Sequence, residues 1–492
     1  MIRRTVLSGI SAMLLGSVAM AQTLLPFSSG PSSGGGGTPV PTLVQMVSSA
    51  GLQPNAETVT ANNFSFTPQN NIGAGNCLVI PFTYGSESGP SSAYTPSISD
   101  NNGNSWPATP AVTVGGSNNT TCMFVLPNAN AGTTTFTISF SADIPDCIFQ
   151  YDFYEFCNVA TTSPVNGTTS AGSVIGASLA CGSFTPGNNN ANGGNLILAF
   201  FGNLNGGTSG QPTNWVPGSG FSLLQGDTWA VAGGLTKGSM YQVQTTSASI
   251  NPSITCTGDT SDHFNCVAIA LKAASAGTPK PTTGIYVNKI IEVFAGGSAQ
   301  PSSGVVLVPT IGNLVVMIST SGGSGGESFS DNASGTWSSI INQNALIAYS
   351  ANKTPNLGLQ VTIAGGAGNN GCYKIFDISG AATSPFDTSA QGFGGSTNPI
   401  NNQPDITPTT SNGLVVAVQG LGQGPCGGLA TGVPAAAVFL NTNYTGKIDS
   451  DSFDSGDGYG MYYNPNTSLI AWNWVTVNNS GGYYLAASFK KA

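Results

Sequence analysis

The sequence predicts an all-β protein: four tandem antiparallel β-sandwiches, of Ig-like or jelly-roll order, arranged as a duplicated two-sandwich unit. Three observations lead there. Four apolar runs, Asn76-Cys-Leu-Val-Ile-Pro-Phe82, Asn195-Leu-Ile-Leu-Ala-Phe-Phe201, Asn313-Leu-Val-Val-Met-Ile318 and Gly413-Leu-Val-Val-Ala-Val418, start 119, 118 and 100 residues apart. Each follows a Gly/Asn turn, is too short for an ordinary helix and is rich in β-branched residues, which marks a central strand. Motifs of the first half also return in the same order in the second. Finally, no window combines a 3.6-residue apolar period with charged faces and capping boxes.

Length and composition agree with this plan. A chain of 492 residues suits three to four domains of ordinary size. Only 6% of residues are charged, against roughly 25% in an average soluble protein, so polarity rests on hydroxyls and amides. With 40% hydrophobic residues, including 23 Phe and 14 Tyr, the chain is too apolar to stay disordered. No basic stripe exists to displace counterions from phosphates, which argues against a nucleic-acid partner.

Taken in order, residues 1–21 read as a signal peptide: Arg3 and Arg4, an apolar stretch from Val6 to Val18, and a small-residue cleavage site at Ala19-Met20-Ala21. A secreted or cell-surface protein is expected. Removing Arg3 and Arg4 leaves nine basic against 20 acidic residues, a formal charge of −11. No later apolar stretch approaches the roughly 18 residues needed to span a bilayer. Residues 22–41 are a Gly/Ser/Pro linker.

The first sandwich is expected over 42–160. Within it Phe136, Ile138 and Phe140 alternate with Thr137 and Ser139, as a half-buried strand requires. Cys147 to Phe156 reads as a long aromatic strand, and Pro81 suggests an edge or a bulge in the Asn76 strand. The second sandwich, 161–274, repeats the order Met123, Phe136, Ile148 at Met240, Ile254, Val267. A Pro/Thr/Gly linker at 275–284 separates it from the third, 285–381, and the fourth, 382–492. The duplication rests on three matches: Asp100 to Trp106 with Asp331 to Trp337, Ala160 to Asn166 with Ala381 to Asp387, and Val267 to Lys272 with Leu485 to Lys490. Their offsets are 231, 221 and 218 residues.

Few residue groups suggest chemistry. The repeated Asp-Asn-x-x-x-x-Trp motif makes Asp100, Trp106, Asp331 and Trp337 candidate ligand-binding residues, with the indole on a sugar face and the carboxylate on its hydroxyls. The structural alternative is an Asx-turn whose Trp closes the core. Asp449, Asp451, Asp454 and Asp457 crowd four hard donors into nine residues, a candidate calcium site or a solvated acidic loop. No other cofactor is called for.

Of nine cysteines, Cys256 and Cys266 flank a turn-like stretch and are a candidate hairpin disulfide. His263 is the only histidine, and no nucleophile elbow accompanies it. Asp152 and Glu155 are the obvious carboxylates for glycoside hydrolysis, but lie three apart and so on opposite faces of a strand. At an offset of 221 they meet Tyr373 and Phe376, which predicts no repeated carboxylate there.

The Gly-Asn-Leu-Val-Val-like strands, Ser99 to Trp106 with Ser330 to Trp337, and Ser163 to Asn166 with Ser384 to Asp387 resemble the tandem β-sandwich modules of exported bacterial surface proteins and phage tail fibres. The resemblance implies adhesion, surface display or glycan contact and carries no catalytic residues. The expected function is therefore a secreted, non-enzymatic structural or adhesive protein. The alternative is a carbohydrate-binding, lectin-like protein using Trp106, Trp337, Trp472 and Trp474, and a jelly-roll glycoside hydrolase is a third reading. Extracellular glycans or cell-surface components are the expected partners.

Overall fold

β-Branched and aromatic residues in short runs, cut by Gly, Asn and Pro, leave the chain little but strands to form. The computed structural model describes residues 39–48, 61–68, 70–86, 90–116, 119–132, 134–145, 147–203, 213–226, 237–257, 263–276, 284–294, 303–319, 328–343, 345–356, 358–364, 372–394, 404–420, 437–439, 452–453, 457–464, 466–472, 474–476 and 482–492. The expected signal peptide, residues 22–38 of the expected first linker, most of the second linker, and Asp449, Asp451 and Asp454 lie outside them. Among the described residues there is no α-helix, and no helix long and apolar enough to cross a membrane.

The first quarter holds β1 (Thr42–Ser48), β2 (Ala61–Phe66), β3 (Cys77–Ser86), β4 (Pro96–Asp100), β5 (Val112–Gly115), β6 (Asn119–Leu126), β7 (Phe136–Ile144) and β8 (Cys147–Cys157). The second holds β9 (Val165–Ile175), β10 (Ser178–Ala180), β11 (Asn195–Asn203), β12 (Thr213–Pro217), β13 (Ser222–Gly226), β14 (Lys237–Gln244), β15 (Ser253–Thr257) and β16 (His263–Lys272). Next come β17 (Tyr286–Phe294), β18 (Ser303–Leu307), β19 (Leu314–Ser319), β20 (Ser328–Asp331), β21 (Trp337–Asn342), β22 (Ala345–Ala351), β23 (Gln360–Ala364) and β24 (Cys372–Ser379). The last quarter has β25 (Ala381–Gly394), β26 (Gly413–Gly420), β27 (Ala437–Phe439), β28 (Ser452–Phe453), β29 (Asp457–Asn464), β30 (Trp474–Thr476) and β31 (Gly482–Lys491).

The chain is all-β, in several antiparallel sheets. One strand order recurs: β5-β6-β3-β8-β1, then β13-β14-β11-β16-β9, β21-β22-β19-β24-β17 and β28-β29-β26-β31-β25. Three-stranded sheets β2-β7-β4, β10-β15-β12 and β18-β23-β20 accompany the first three, and β27 pairs β30 in the last. The apolar runs occupy β3, β11, β19 and β26, in the middle of each order. Covered on both faces, they are apolar without alternation. Pro81 corrects the expectation of an edge or a bulge. It lies within the central strand β3, which pairs β8 at Val79↔Tyr154 and at Phe82↔Tyr151 in one register on either side of it.

The first and third quarters share a ten-stranded sheet through β1 and β17, which run parallel at Met46↔Lys289, Val47↔Ile290 and Ser48↔Ile291. Two copies joined by equivalent parallel strands are related by rotation about an axis along those strands, which turns one half of the sheet over. The cores follow. One cluster joins Phe66, Phe124 and Phe136 of the first quarter to Val316 of the third and to Leu414 and Phe489 of the fourth. On the opposite face, Val79 and Tyr154 pack on Leu198, Phe200 and Val267 of the second quarter. There Val315, Met317 and Ile375 pack on Val361 and Ile363 of their own small sheet.

Asn70 fastens the seam. Its amide donates to Val287 O at 2.6 Å and accepts from Tyr463 Oη at 2.6 Å, tying the turn before β3 to β17 and β29.

Candidate functional site

The repeated Asp and Trp residues form the same turn twice. At the end of β4, Asp100 Oδ1 accepts the N–H of Asn102 at 2.9 Å and of Asn104 at 3.3 Å, and Oδ2 accepts Trp106 Nε1–H at 2.7 Å. At the end of β20, Asp331 accepts Ala333 and Gly335 N–H, both at 2.9 Å, and Trp337 Nε1–H at 2.8 Å. The six-residue spacing is thus the distance over which one carboxylate closes a turn and anchors an indole. Trp106 stands edge-on to Phe136 with ring centres 6.0 Å apart, and Trp337 lies 6.0 Å from Phe329. Both indoles are half-buried. Because the halves are turned over, Trp106 packs on one face of the ten-stranded sheet and Trp337 on the other.

The two turns are braced differently. Asn130 N–H donates to Asn104 Oδ1 at 2.7 Å in the first. In the second, Lys353 pairs with Asp331 and its ammonium lies 5.8 Å from the Trp337 ring centre. Burial alone would raise the Asp331 carboxyl, but Lys353, the Gly335 N–H and the Trp337 N–H together hold it below the usual carboxylate value. The folded state therefore binds fewer protons here than the unfolded state, so this stability is present above the unfolded pKa and lost as pH falls through the folded one. Lys353→Met is expected to cost about 2 kcal/mol at pH 7. In urea denaturation, its gap to wild type should narrow as pH drops below about 4.

Other expected site residues are dispersed. Among the described residues no group of three His, Cys, Asp or Glu side chains is placed to hold a metal ion, and Asp457 is described only as the backbone that starts β29. Trp472 is 2% exposed inside a core with Ile406 and Tyr484, which corrects the expectation that it stacks on a sugar. The Trp474 side chain lies outside the described residues.

Cys256 and Cys266 are free thiols, which corrects the expected hairpin disulfide. They do not flank a hairpin of one sheet: β15 belongs to the three-stranded sheet and β16 to the five-stranded one.

Asp152 and Glu155 do face opposite ways. Asp152 meets Lys237 Nζ at 2.7 Å, with both side chains fully buried between the first and second quarters. Glu155 accepts Gly73 N–H at 2.8 Å, Asn76 Nδ2–H at 2.5 Å and Gln45 Nε2–H at 2.6 Å, holding the turn that leads into β3. A carboxylate here is repeated after all, at an offset of 222. Asp377 accepts Ile311 and Gly312 N–H, each at 2.9 Å, in the turn before β19. Strand pairing confirms the match, Gln45↔Glu155 against Lys289↔Asp377. Burial pushes the Asp377 carboxyl up and the Lys289 ammonium down to about 8.

The lone histidine has a partner that the sequence did not suggest. Ser173 Oγ lies 2.6 Å from His263 Nδ1, in a bulge where Ser173 adopts φ 56°. A nucleophile would need its own N–H, or a neighbour's, aimed at a developing oxyanion. The Ser173 N–H instead donates to Asn265 Oδ1 at 3.2 Å. The contact therefore fastens a bulge.

No family model matches this chain, and neither a curated protein nor a solved structure is similar to it.

What the residues do chemically must then be read from their own geometry. Asp100, Asp152, Glu155, Asp331 and Asp377 each accept hydrogen bonds that close a turn or join two layers. Lys237, the partner missed in the sequence, left one trace: the offset of 222 that joins Glu155 to Asp377 also joins Asp152 to Lys374, so this strand position carries a charged residue in both halves. Lys374 Nζ lies 4.2 Å from the Tyr459 ring centre. The shared position of Asp152 on β8 and Lys374 on β24 thus carries a buried charged side chain in both halves.

Proposed function

We propose that this chain is an exported, non-enzymatic structural or adhesive protein built of four β-sandwiches of jelly-roll order, fused as two pairs. The alternating orders 1-8-3-6 and 2-7-4, counted within each of the first three quarters, support the jelly-roll reading over an Ig-like one. The observation that carries the functional reading is where charge is placed. In a chain with 6% charged residues, Asp152, Glu155, Asp377, Lys237, Lys289 and Lys374 are buried, and their contacts fasten one turn or layer to another. Acidic and basic side chains used as fasteners, and among the described residues not gathered into a metal-holding cluster, suit a rigid presenter of hydroxyl and amide surface.

A second reading, glycan binding, is favoured by one observation: the two Asp-anchored indoles are only half-buried. A glycan array with wild type, Trp106→Ala and Trp337→Ala separates the two. The structural reading expects no binding that depends on either Trp. Binding lost in one or both variants replaces it with the lectin reading, and release of reducing sugar from any polysaccharide overturns both.

A further inference from the structure

One place in the recurring strand order is filled in two ways. β1, β9, β17 and β25 each end the order of their own quarter. β1 and β17 are sealed against each other, with Leu43 to Ser48 and Tyr286 to Ile291 buried. Among the described residues no strand pairs with the outer edge of β9 or of β25. β9 is blunted: register shifts bound its regular stretch at Gly167 and Ala171, and Ser173 bulges beyond it. In β25 the stretch from Thr388 to Gly394 pairs with Ser488 to Gly482 in one unbroken register. It holds no charged residue and no proline, the usual guards of an open edge. Phe393 in that stretch is 61% exposed, its ring centre 5.2 Å from that of Tyr483.

Hydrogen bonds to the ladder show which peptide groups this edge offers. Asn342 Nδ2–H donates to Gly392 O and to Tyr484 O, both at 2.8 Å. The two carbonyls belong to one cross-strand pair, and a single amide reaches both only where that pair exchanges its own hydrogen bonds, carbonyls inward. Ala492 N–H, donating to Gly380 O at 2.8 Å, agrees: even-numbered residues of β31 face β25. Ser389, Gln391 and Phe393 therefore aim their N–H and C=O groups off the edge. Their side chains are exposed, while those of Thr388 and Ala390 are half-buried.

We propose that the outer edge of β25 is a self-pairing interface, through which two copies of this chain dimerise by antiparallel pairing of Ser389 to Phe393 about Gln391. The inference goes beyond the proposed function and stands without it. Three observations favour a second copy as the occupant. The strands equivalent to β25 in the first and third quarters already join two copies of one unit through this same edge. The outward groups are symmetric about Gln391, so Gln391 meets Gln391 of the second copy and Ser389 meets Phe393, closing about six backbone hydrogen bonds. The edge also carries no charge by which a different partner would be selected. Antiparallel pairing is what an exact two-fold axis allows. In that ladder outward-facing residues meet each other, whereas in a parallel one an outward-facing residue sits opposite one that faces away.

The test is sedimentation equilibrium of the full chain from about 1 to about 100 μM, with amide hydrogen exchange read at both ends of that range. The expected mass rises to twice that of one chain. Exchange at Ser389, Gln391 and Phe393 should slow about tenfold or more in the dimer, while Ala390 and Gly392, bonded to β31, are protected at both concentrations. Gln391→Pro removes an outward N–H, a change that an edge strand tolerates, so it should melt near wild type and stay monomeric. Ser170→Pro is the matching change on β9, where Lys272 N–H donating to Pro164 O sets the same alternation, and it should leave the dimer intact. A chain monomeric throughout, a dimer that survives Gln391→Pro, or assembly lost in Ser170→Pro overturns the proposal. The wild-type mass and exchange decide alone, even if the Gln391 variant does not fold.

Discussion

Asp152→Ala is expected to destabilise the protein by about 3–5 kcal/mol, the usual result of stranding one partner of a buried ion pair. The carboxylate accepts Ser48 Oγ–H at 2.7 Å, Ser239 Oγ–H at 3.1 Å and Tyr154 Oη–H, besides pairing with Lys237. Neither charged side chain is exposed. Alanine removes all four contacts and leaves the ammonium without its carboxylate between two apolar layers. Lys237→Met in the Asp152→Ala background should recover part of the loss, because no buried charge then remains. Urea denaturation of the two singles and the double measures this coupling. Losses that simply add, or a single-variant loss below about 1 kcal/mol, would show that the pair does not hold the layers.

The second large effect is expected at Gly194, in the turn before β11. Its φ is 86°, and a Cβ there would lie 2.2 Å from Gln244 O and 2.7 Å from Thr245 Cα, backbone atoms of the neighbouring strand. The same crowding recurs at Gly312, 2.1 Å from Ile378 O, and at Gly413, 2.4 Å from Phe489 O. At three of the four central strands, a glycine at or just before the strand start lets the chain lie flat against the adjacent ladder. Gly194→Ala should cost about 2–5 kcal/mol, combining left-handed backbone strain with overpacking. Gly176→Ala is the control, since its φ is 111° but nothing lies within 4 Å of the added carbon. Thermal melts should show a clearly larger fall for Gly194. Equal falls would mean that strain alone matters and that the close approach is without consequence.

The sequence made the central strands legible because they are covered on both faces, and an uninterrupted apolar run is what such a position demands. Alternation also served where one face is polar: in β7, Phe136 and Ile138 are buried while Thr137 and Ser139 are half-exposed. The Asp–Trp turn was legible as a turn because its spacing reflects local hydrogen bonds.

Contacts between distant segments left weaker traces. Nothing in Leu43 to Ser48 or Tyr286 to Ile291 says that these strands pair with each other in parallel, since an edge strand and a buried seam strand of this length read alike. The repeated carboxylate was hidden by a one-residue change of offset, 222 rather than the 221 of the neighbouring junction motif. The disulfide expectation failed for a related reason. A turn-like sequence between two cysteines does not say whether the strands on either side stay in one sheet, and here they cross to different ones.

The parallel pairing of β1 with β17 decides whether the duplicated halves are one structure or two, and amide hydrogen exchange on the intact chain tests it most directly. If the seam exists, the segments 46–48 and 289–291 are paired on both sides, protected to within about tenfold of β8 and β24 beside them. Exchange in both segments at the fast rates of solvent-facing edge strands, with β8 and β24 still protected, would show that the halves do not share a sheet.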